Sequence, residues 1–465
     1  MRGEANAKEN KKLRVLRAFA VFSSPMTTSL SILPILHPIR ASVRVPGSKS
    51  LTNRALAIAA LADGTTALTN ALDSDDSRYF VDSLQRLGFN VRAGAIHERA
   101  VRAIPELPLP SITVHGLGGH IPSSRAELFV GNAGTAARFL TAFVTLGHGE
   151  YTLDGVERMR QRPIGDLLSA LNALGANASS ATGCPPVKVI ASGLPGGTAR
   201  VAGDTSSQFL SALLIAAPYA QSPVELIVER GLNSKPYVDM TLAVMADFGV
   251  TVEREGYKRF RITPQRYCAV SEYAIESDAS AASYFFAAPA VCGGTVRVQN
   301  ISRRSKQGDI AFLDVLARMG CEVNEGGNWI SVGAIHESPL RGVDVDLRDL
   351  PDTAQTLAAI APFADSPTTI RGIASARVKE TDRVAAMCNE LRRLGVTVNE
   401  HADGLTIHPC ANLQPAVIHT YDDHRMAMAF ALVGLRAPGI AIENAACVSK
   451  TFPNYFEALE ELRRG

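Results

Sequence analysis

Cations stand at or near the start of one apolar segment after another in this chain. They are Lys49 and Arg54 in VPGSKSLTNRALAIAALADG, Arg162 ahead of Pro163, Lys379 and Arg383 in RVKETDR, His424 and Arg425 in YDDHR, and Lys450 in SKTFP. If those segments are helices, their first turns present unpaired N–H groups and partial positive charge, so Lys and Arg are locally unfavourable there. The placement makes sense where an anion is to be held between the tips. At any single tip the bland alternative is a solvated cation beside a capping serine such as Ser48 or Ser50. Recurrence at five of twelve expected helix starts argues for the anion.

Two Lys and three Arg suffice to clamp a carboxylate and a phosphate together, Arg by forked donors and Lys as a point charge. Ser206, Ser207, Gln208, Asn132 and Thr135 add neutral donors, and the amides of Ala133 and Gly134 allow close backbone approach. Carboxylates sit among the same tips: Asp352 in LPDTAQ, Glu380 beside Lys379, and Asp422 and Asp423 beside His424. Each could be an N-cap or first-turn acid, and Asp76, Asp278 and Asp382 are assigned that role. Asp352 and Glu380 differ, because facing an anion cluster they could accept and donate protons. GNAGTA lacks the lysine of a Walker loop and the spacing of a dinucleotide fingerprint, no His/Cys/Asp spacing implies a metal, and GxSxG is absent.

These residues are carried by a repeated unit. GSKSLTNRALAIAALADG, GNAGTAARFLTAFVTLGHG, GDTSSQFLSALLIAAPYA, SDASAASYFFAAPAVCGG, LPDTAQTLAAIAPFAD and YDDHRMAMAFALVGLRAPG share a polar tip and an Ala-rich apolar helix pattern. They recur with a period of about 70 to 85 residues. Amphipathic segments alternate with them, from DDSRYFVDSLQRLGF to FPNYFEALEELRRG, most with a glycine stop and then a short β-branched run. Pro163 and Pro453 are expected in the first turns of two of these helices. Six βαβ-containing units follow, with the apolar helices inside and the amphipathic ones outside. Three units per domain give two similar α/β domains whose polar helix tips converge.

The bulk composition narrows the partners. With 465 residues and 46% apolar content the chain has room for two sizeable domains, and Lys plus Arg at 47 against Asp plus Glu at 45 gives no nucleic-acid or anionic-membrane surface. No apolar run reaches the roughly 18 residues of a membrane span. Seven scattered cysteines without a CxxC pair fit a reducing cytoplasm. The basic, partly apolar stretch KKLRVLRAFAVF is too short for a signal peptide, and a transit peptide stays open as the alternative, against which Glu4 and Glu9 argue.

In the right order, PGSKSLTNRALAIAALA, GNAGTAARFL, RPIGDLLSAL, DTSSQFLSALL, SKPYVDMTL, LPDTAQT, RVKETDR, DDHRMAMAF and KTFPNYFEAL resemble the signatures of the 5-enolpyruvylshikimate-3-phosphate (EPSP) synthase family. The resemblance runs from about Met26 to the end. It implies two inverse, inside-out α/β domains, each of three repeats, with the active site in the cleft between them. It further implies a discontinuous first domain of residues 26–47 plus 274–465, a second of 48–273, and a dispensable, disordered leader of 1–25. The implied reaction joins the 5-hydroxyl of shikimate 3-phosphate to phosphoenolpyruvate, with neither metal nor cofactor, in a cytoplasmic monomer.

By matching motif, the resemblance implies that shikimate 3-phosphate meets Lys49, Ser50, Arg54, Ser206, Ser207, Gln208, Ser234, Tyr237, Asp352, Ser375 and Lys379. Phosphoenolpyruvate is implied to meet Lys49, Gly134, Arg162, Gln208, Arg383, Arg425 and Lys450. Asp352 would take the hydroxyl proton, and Glu380, helped by Lys49, would handle the methylene proton. Three positions depart from the family pattern: Phe139 where Pro is common, Ser375 where Asn often contacts substrate, and Asp422 for a more usual Asn. Glyphosate occupies the phosphoenolpyruvate site in many members, and Phe139 implies weaker inhibition here. The sister enzymes that use UDP-N-acetylglucosamine typically carry a reactive Cys before RP, whereas GVERMRQRP has none. A noncatalytic anion binder of the same fold would need neither Asp352 nor Glu380.

Overall fold

A computed structural model describes residues 29–94, 110–334 and 340–464; the expectations for residues 1–25 and for Met26 lie outside the described residues. Twelve α-helices occur among the described residues, in two alternating kinds. The helices α1 (Lys49–Leu61), α3 (Gly134–Phe143), α5 (Ser207–Ala216), α7 (Ala279–Cys292), α9 (Ala354–Ile360) and α11 (His424–Gly434) are the Ala-rich segments. Every residue of α3, α7, α9 and α11 is buried. Small side chains let these helices pack on all sides without overfilling the core. Between them run the amphipathic α2 (Asp75–Arg86), α4 (Gly165–Ala173), α6 (Lys235–Asp247), α8 (Phe312–Arg318), α10 (Arg383–Arg393) and α12 (Tyr455–Glu461). In the loops that end α2, α4, α6, α8 and α10, Gly88, Gly175, Gly249, Gly320 and Gly395 take left-handed φ of +81° to +101°, a conformation that costs glycine no Cβ clash.

Each unit folds onto its own small sheet. Gly197–Ala202 leads into α5 and pairs in parallel with Val224–Glu229, which follows it. After α6 the strands Glu253–Glu255 and Arg259–Ile262 add an antiparallel edge. Four more sheets repeat this strand order, and a sixth has three strands, with Ser29–Ser31 supplying the antiparallel edge beside Ile440–Glu443.

The chain crosses between halves twice. Ile39–Arg44 enters α1 but pairs with Gly294–Gln299, which follows α7, while Glu272–Ala274 enters α7 but pairs with Asp63–Thr69, which follows α1. Asp278 ties the crossovers together: one oxygen caps α7 at the amide of Ala281 and the other accepts the amide of Lys49 at 3.0 Å. The buried apolar side chains fall into two clusters, one within residues 32–45 and 279–462, the other within residues 51–275. The fold is thus α/β with two inside-out halves of three units each.

Pro163 and Pro453 do not lie in first turns. The caps of α4 and α12 are Ile164 and Asn454, so each proline sits one residue outside its helix, where fixing φ restricts the entering loop instead.

Candidate active site

The tips of the buried helices meet in a narrow cavity between the halves. One wall comes from Gly134, Thr135, Arg138, Arg162, Pro163, Thr205, Ser206, Gln208 and Phe209, the other from Asp352, Ser375, Val378, Lys379, Glu380, Arg383 and Arg425, with Lys49 at the crossover. Hydrogen bonds already span the gap. Lys450 Nζ donates to the carbonyl of Asn132 at 2.6 Å, Ser449 to Asp75 at 2.6 Å, and Arg158 to the carbonyls of Lys379 and Glu380 at 2.8 and 3.0 Å.

Asp352 is the centre of the second wall. Its Oδ1 accepts from Lys379 Nζ at 2.7 Å and Arg383 Nη1 at 3.0 Å, and its Oδ2 from Arg425 Nη2 at 2.9 Å and Tyr237 Oη at 3.3 Å. Thr353, not Asp352, is the cap residue of α9, so the capping role considered for this acid is not the one it plays. Burial would raise the Asp352 carboxyl, but Arg425, Lys379, Arg383 and Lys49 outweigh it and hold it well below the usual carboxylate range. Glu380 pairs with Arg383 at 2.9 Å, Lys450 at 3.3 Å and Arg162 at 3.8 Å. Against the opposing effect of burial, those cations keep it ionised as well.

Seven cations, Lys49, Arg138, Arg162, Lys379, Arg383, Arg425 and Lys450, face four carboxylates, Asp76, Asp352, Glu380 and Asp423. The surplus is positive and enclosed, where charge is weakly screened. Arg162 and Arg138 each leave a buried Nε without a partner. His424 is buried with neither ring nitrogen bonded, and burial with Arg425 nearby depresses its pKa well below the ordinary value, so it stays neutral. These open donors and surplus cations suit one or two multiply charged anions.

Of the residues expected at the site, Lys49, Gly134, Arg162, Ser206, Gln208, Asp352, Ser375, Lys379, Glu380, Arg383 and Arg425 line the cavity. Tyr237 and Lys450 touch it through Asp352 and Glu380. Ser50, Ser207 and Ser234 are not on its wall; the Ser234 amide instead donates to the Arg348 carbonyl at 3.1 Å. Arg54 also stands back. It is 1% exposed in the second turn of α1 and donates to Thr241 Oγ1, to the carbonyls of Ser50 and Tyr237, and weakly to Ser211. In this arrangement the guanidinium braces α1 against α5 and α6.

Three side chains were not anticipated. Asp76, taken from sequence as a first-turn acid, is 3.5 Å from Lys49 and 3.6 Å from Lys450. Arg138 donates to the carbonyls of Gly134 and Pro163 at 3.0 and 3.1 Å, holding the tip of α3 against the Arg162 loop. Arg158 clamps the loop that carries Lys379 and Glu380. The three arginines of GVERMRQRP were the available signal, but only Arg162 adjoined a helix start.

Residues 34–459 match the family described as EPSP synthase (3-phosphoshikimate 1-carboxyvinyltransferase). A 3-phosphoshikimate 1-carboxyvinyltransferase of Nostoc is 49% identical over 431 residues, covering 92% of this chain and 98% of its own. A chloroplastic one of Brassica napus is 46% identical over 470 residues, 97% of this chain and 89% of its own. The solved EPSP synthase of Acinetobacter baumannii superposes with a TM-score of 0.75 at 24% identity, covering 94% of this chain and 98% of that one.

Proposed function

The chain belongs to the EPSP synthase family, and from that premise we propose how its residues divide the work. The enzyme transfers the enolpyruvyl group of phosphoenolpyruvate to the 5-hydroxyl of shikimate 3-phosphate and releases phosphate, by addition and elimination through a tetrahedral intermediate.

The observation that carries the assignment is the saturation of Asp352 and Glu380 by cations. A carboxylate held by three cations is a poor base. Phosphoenolpyruvate brings its own carboxylate and phosphate to Arg383, Arg425, Arg162, Lys450 and Lys49, and so competes for the same donors. As those cations turn to the ligand, both acids regain basicity at the moment they are needed. Asp352 then takes the proton of the acceptor hydroxyl as its oxygen bonds to C2, while Glu380, which takes up a proton from solvent as its cations turn to the ligand, gives that proton to the methylene carbon with the help of Lys49. In the second step C3 returns its proton and the C2–O bond to phosphate breaks, the departing charge being held by guanidinium groups.

Shikimate 3-phosphate is assigned to Lys49, Ser206, Gln208, Asp352, Ser375 and Lys379, with Ser50, Arg54, Ser207, Ser234 and Tyr237 behind them. The two apolar clusters support two domains near the expected bounds of 26–47 plus 274–465 and 48–273, with Ile275 packed in the second cluster; we propose that they close on the substrates, excluding water. We further assign a monomer acting in the cytoplasm; no described helix is long and apolar enough to cross a membrane. The test is phosphate release from phosphoenolpyruvate, which should require shikimate 3-phosphate. Equal release with UDP-N-acetylglucosamine as acceptor would overturn the choice of substrate.

Phe139 bears on glyphosate. It is the sixth residue of α3, 2% exposed, with Arg54 Cζ 5.3 Å from its ring centroid. A proline there loses a helical N–H and crowds the preceding turn, which carries Gly134 at its tip. Phe139→Pro is expected to lower the glyphosate inhibition constant against phosphoenolpyruvate by about tenfold, since small displacements of a tight site have large effects. Equal constants for the two proteins would refute the shift of the tip.

A further inference from the structure

Behind Asp352 lies a second carboxylate that the mechanism above leaves unused. Asp309, on the turn Gly308–Ala311, is 4% exposed, and its Oδ2 accepts from Tyr237 Oη at 3.0 Å and from the hydroxyl of Ser280. Its Oδ1 has no partner. Among the described residues no Lys, Arg or His forms an ion pair with it. The phenol of Tyr237 therefore bridges two acids, at 3.0 Å to Asp309 and 3.3 Å to Asp352. It has one proton to donate, and the shorter contact is to Asp309.

We propose that Asp309 stores the proton taken from the acceptor hydroxyl, receiving it from Asp352 through Tyr237. The inference rests on Asp352 being the base. When Asp352 takes the hydroxyl proton, its new O–H can donate to Tyr237 Oη, and the phenol passes its own proton to Asp309. Asp352 and Tyr237 are restored, and Asp309 is left neutral with one added proton. Run backward, the chain returns that proton as phosphate leaves, since the released phosphate carries a proton that the ester did not.

The two acids differ in the direction this transfer requires. Asp352 is held low by Arg425, Lys379, Arg383 and Lys49, whereas burial, followed by the charge of Asp352, pushes Asp309 up to about 6. The groups facing Asp309 are Tyr237 on α6, Asp278 and Ser280 at the start of α7, Asp352 before α9 and Arg425 on α11. Two of the charged groups are acids and one is a cation, so withdrawing Arg425 toward a bound anion favours the protonated form further. Tyr237 stays a phenol, because burial and the charge of Asp309 raise its pKa well above the ordinary value. Moving the proton off Asp352 also keeps a negative charge beside the carbon that becomes cationic, where it stabilises the transition state. Asp309 touches no substrate in this scheme; it positions the proton.

The test compares Asp309→Asn, Tyr237→Phe and the double variant. Asp309→Asn keeps the shape and cannot take a proton, so kcat should fall by about tenfold to a hundredfold with the KM for phosphoenolpyruvate unchanged. Asp309 must be ionised to accept, and drawing Arg425 to the bound anion raises it beyond about 6, so wild-type kcat should decline as pH drops through a value above about 6, and that limb should vanish in Asp309→Asn. Because the two residues act in one chain, the double variant should be no slower than the slower single variant. Wild-type kcat in Asp309→Asn, retention of the limb, or losses that multiply would each overturn the proposal. If Asp309→Asn fails to fold, loss of the same limb in Tyr237→Phe supports the chain and its retention refutes it. Failure of the underlying assignment would look different: Asp352→Asn would then turn over at the wild-type rate.

Discussion

Asp352→Asn is expected to lower kcat by about 10² to 10⁴, the range for a lost general base, while the KM for phosphoenolpyruvate stays level or falls. The second half of that expectation comes from the ion pairs. Asp352 accepts from Lys379, Arg383 and Arg425 at 2.7 to 3.0 Å, so removing its charge leaves those donors free for an anionic ligand. A substrate anchor lost at the same position would instead raise KM. Stability should move the other way, because Arg425 and Lys379 lose their carboxylate and Arg383 loses one of three, keeping Glu380 and Asp423; with Lys379 and Asp352 partly exposed, the cost falls below the about 3 to 5 kcal/mol of a fully buried pair. Added phosphate should then raise the melting temperature of the variant more than that of the wild type. The Asp352 carboxyl is depressed in the folded state. Its ion pairs therefore stabilise the fold above the unfolded pKa of about 3.9 and lose that effect as pH falls through the folded pKa; Asp352→Asn should lack this acid-side loss. Unchanged turnover would remove Asp352 from the chemistry.

The units were legible because each buried helix is apolar on nearly every side and carries its polar residues at one end. A segment such as ASAASYFFAAPAVC can only be a core element, and its polar approach SD can only be a tip. Alternation with amphipathic helices ended by left-handed glycines gave the rest of the unit. The crossovers were not visible in the repeats, since nothing in the alternation of IRASVR says that it pairs with Gly294–Gln299 and not with Asp63–Thr69; only the family resemblance implied a discontinuous domain.

At the site, local chemistry exposed Lys49, Arg383 and Arg425 because their positions conflict with the helix dipole. Asp76 and Asp309 gave no such signal. Both are acids in or just before amphipathic helices, where acids are favoured, and only their distant partners Lys49, Lys450 and Tyr237 distinguish them. Arg54 shows the converse: its place near a helix start marks it as an anion ligand, while Thr241 and the carbonyls of Ser50 and Tyr237 accept from its guanidinium, which sequence alone does not show.

Gly134→Ala should raise the KM for phosphoenolpyruvate by about tenfold to a hundredfold, with a smaller effect on shikimate 3-phosphate, as a misplacement near 1 Å does at a tight site. The reason is space, not backbone freedom. A Cβ at residue 134 would lie 2.4 Å from Arg162 Nη2, 2.5 Å from Arg138 Nη1 and 2.8 Å from Arg162 Cζ, all too close for contact. Long side chains can usually swing away from such a methyl. These two are tethered, Arg162 Nη1 to the carbonyl and side chain of Asn132 at 3.0 and 3.1 Å, and Arg138 to the carbonyls of Gly134 and Pro163. Relief therefore comes by breaking one tether, and the guanidinium of Arg162 then leaves the position from which it reaches Glu380 and from which we propose that it holds phosphoenolpyruvate. Shikimate 3-phosphate, assigned mainly to Lys49, Ser206, Gln208 and Lys379, is spared most of that movement. Titrating each substrate at saturating levels of the other separates the two constants. Equal rises in both would mean that α3 shifts as a body, and no rise in either would mean that Arg162 is not a phosphoenolpyruvate ligand.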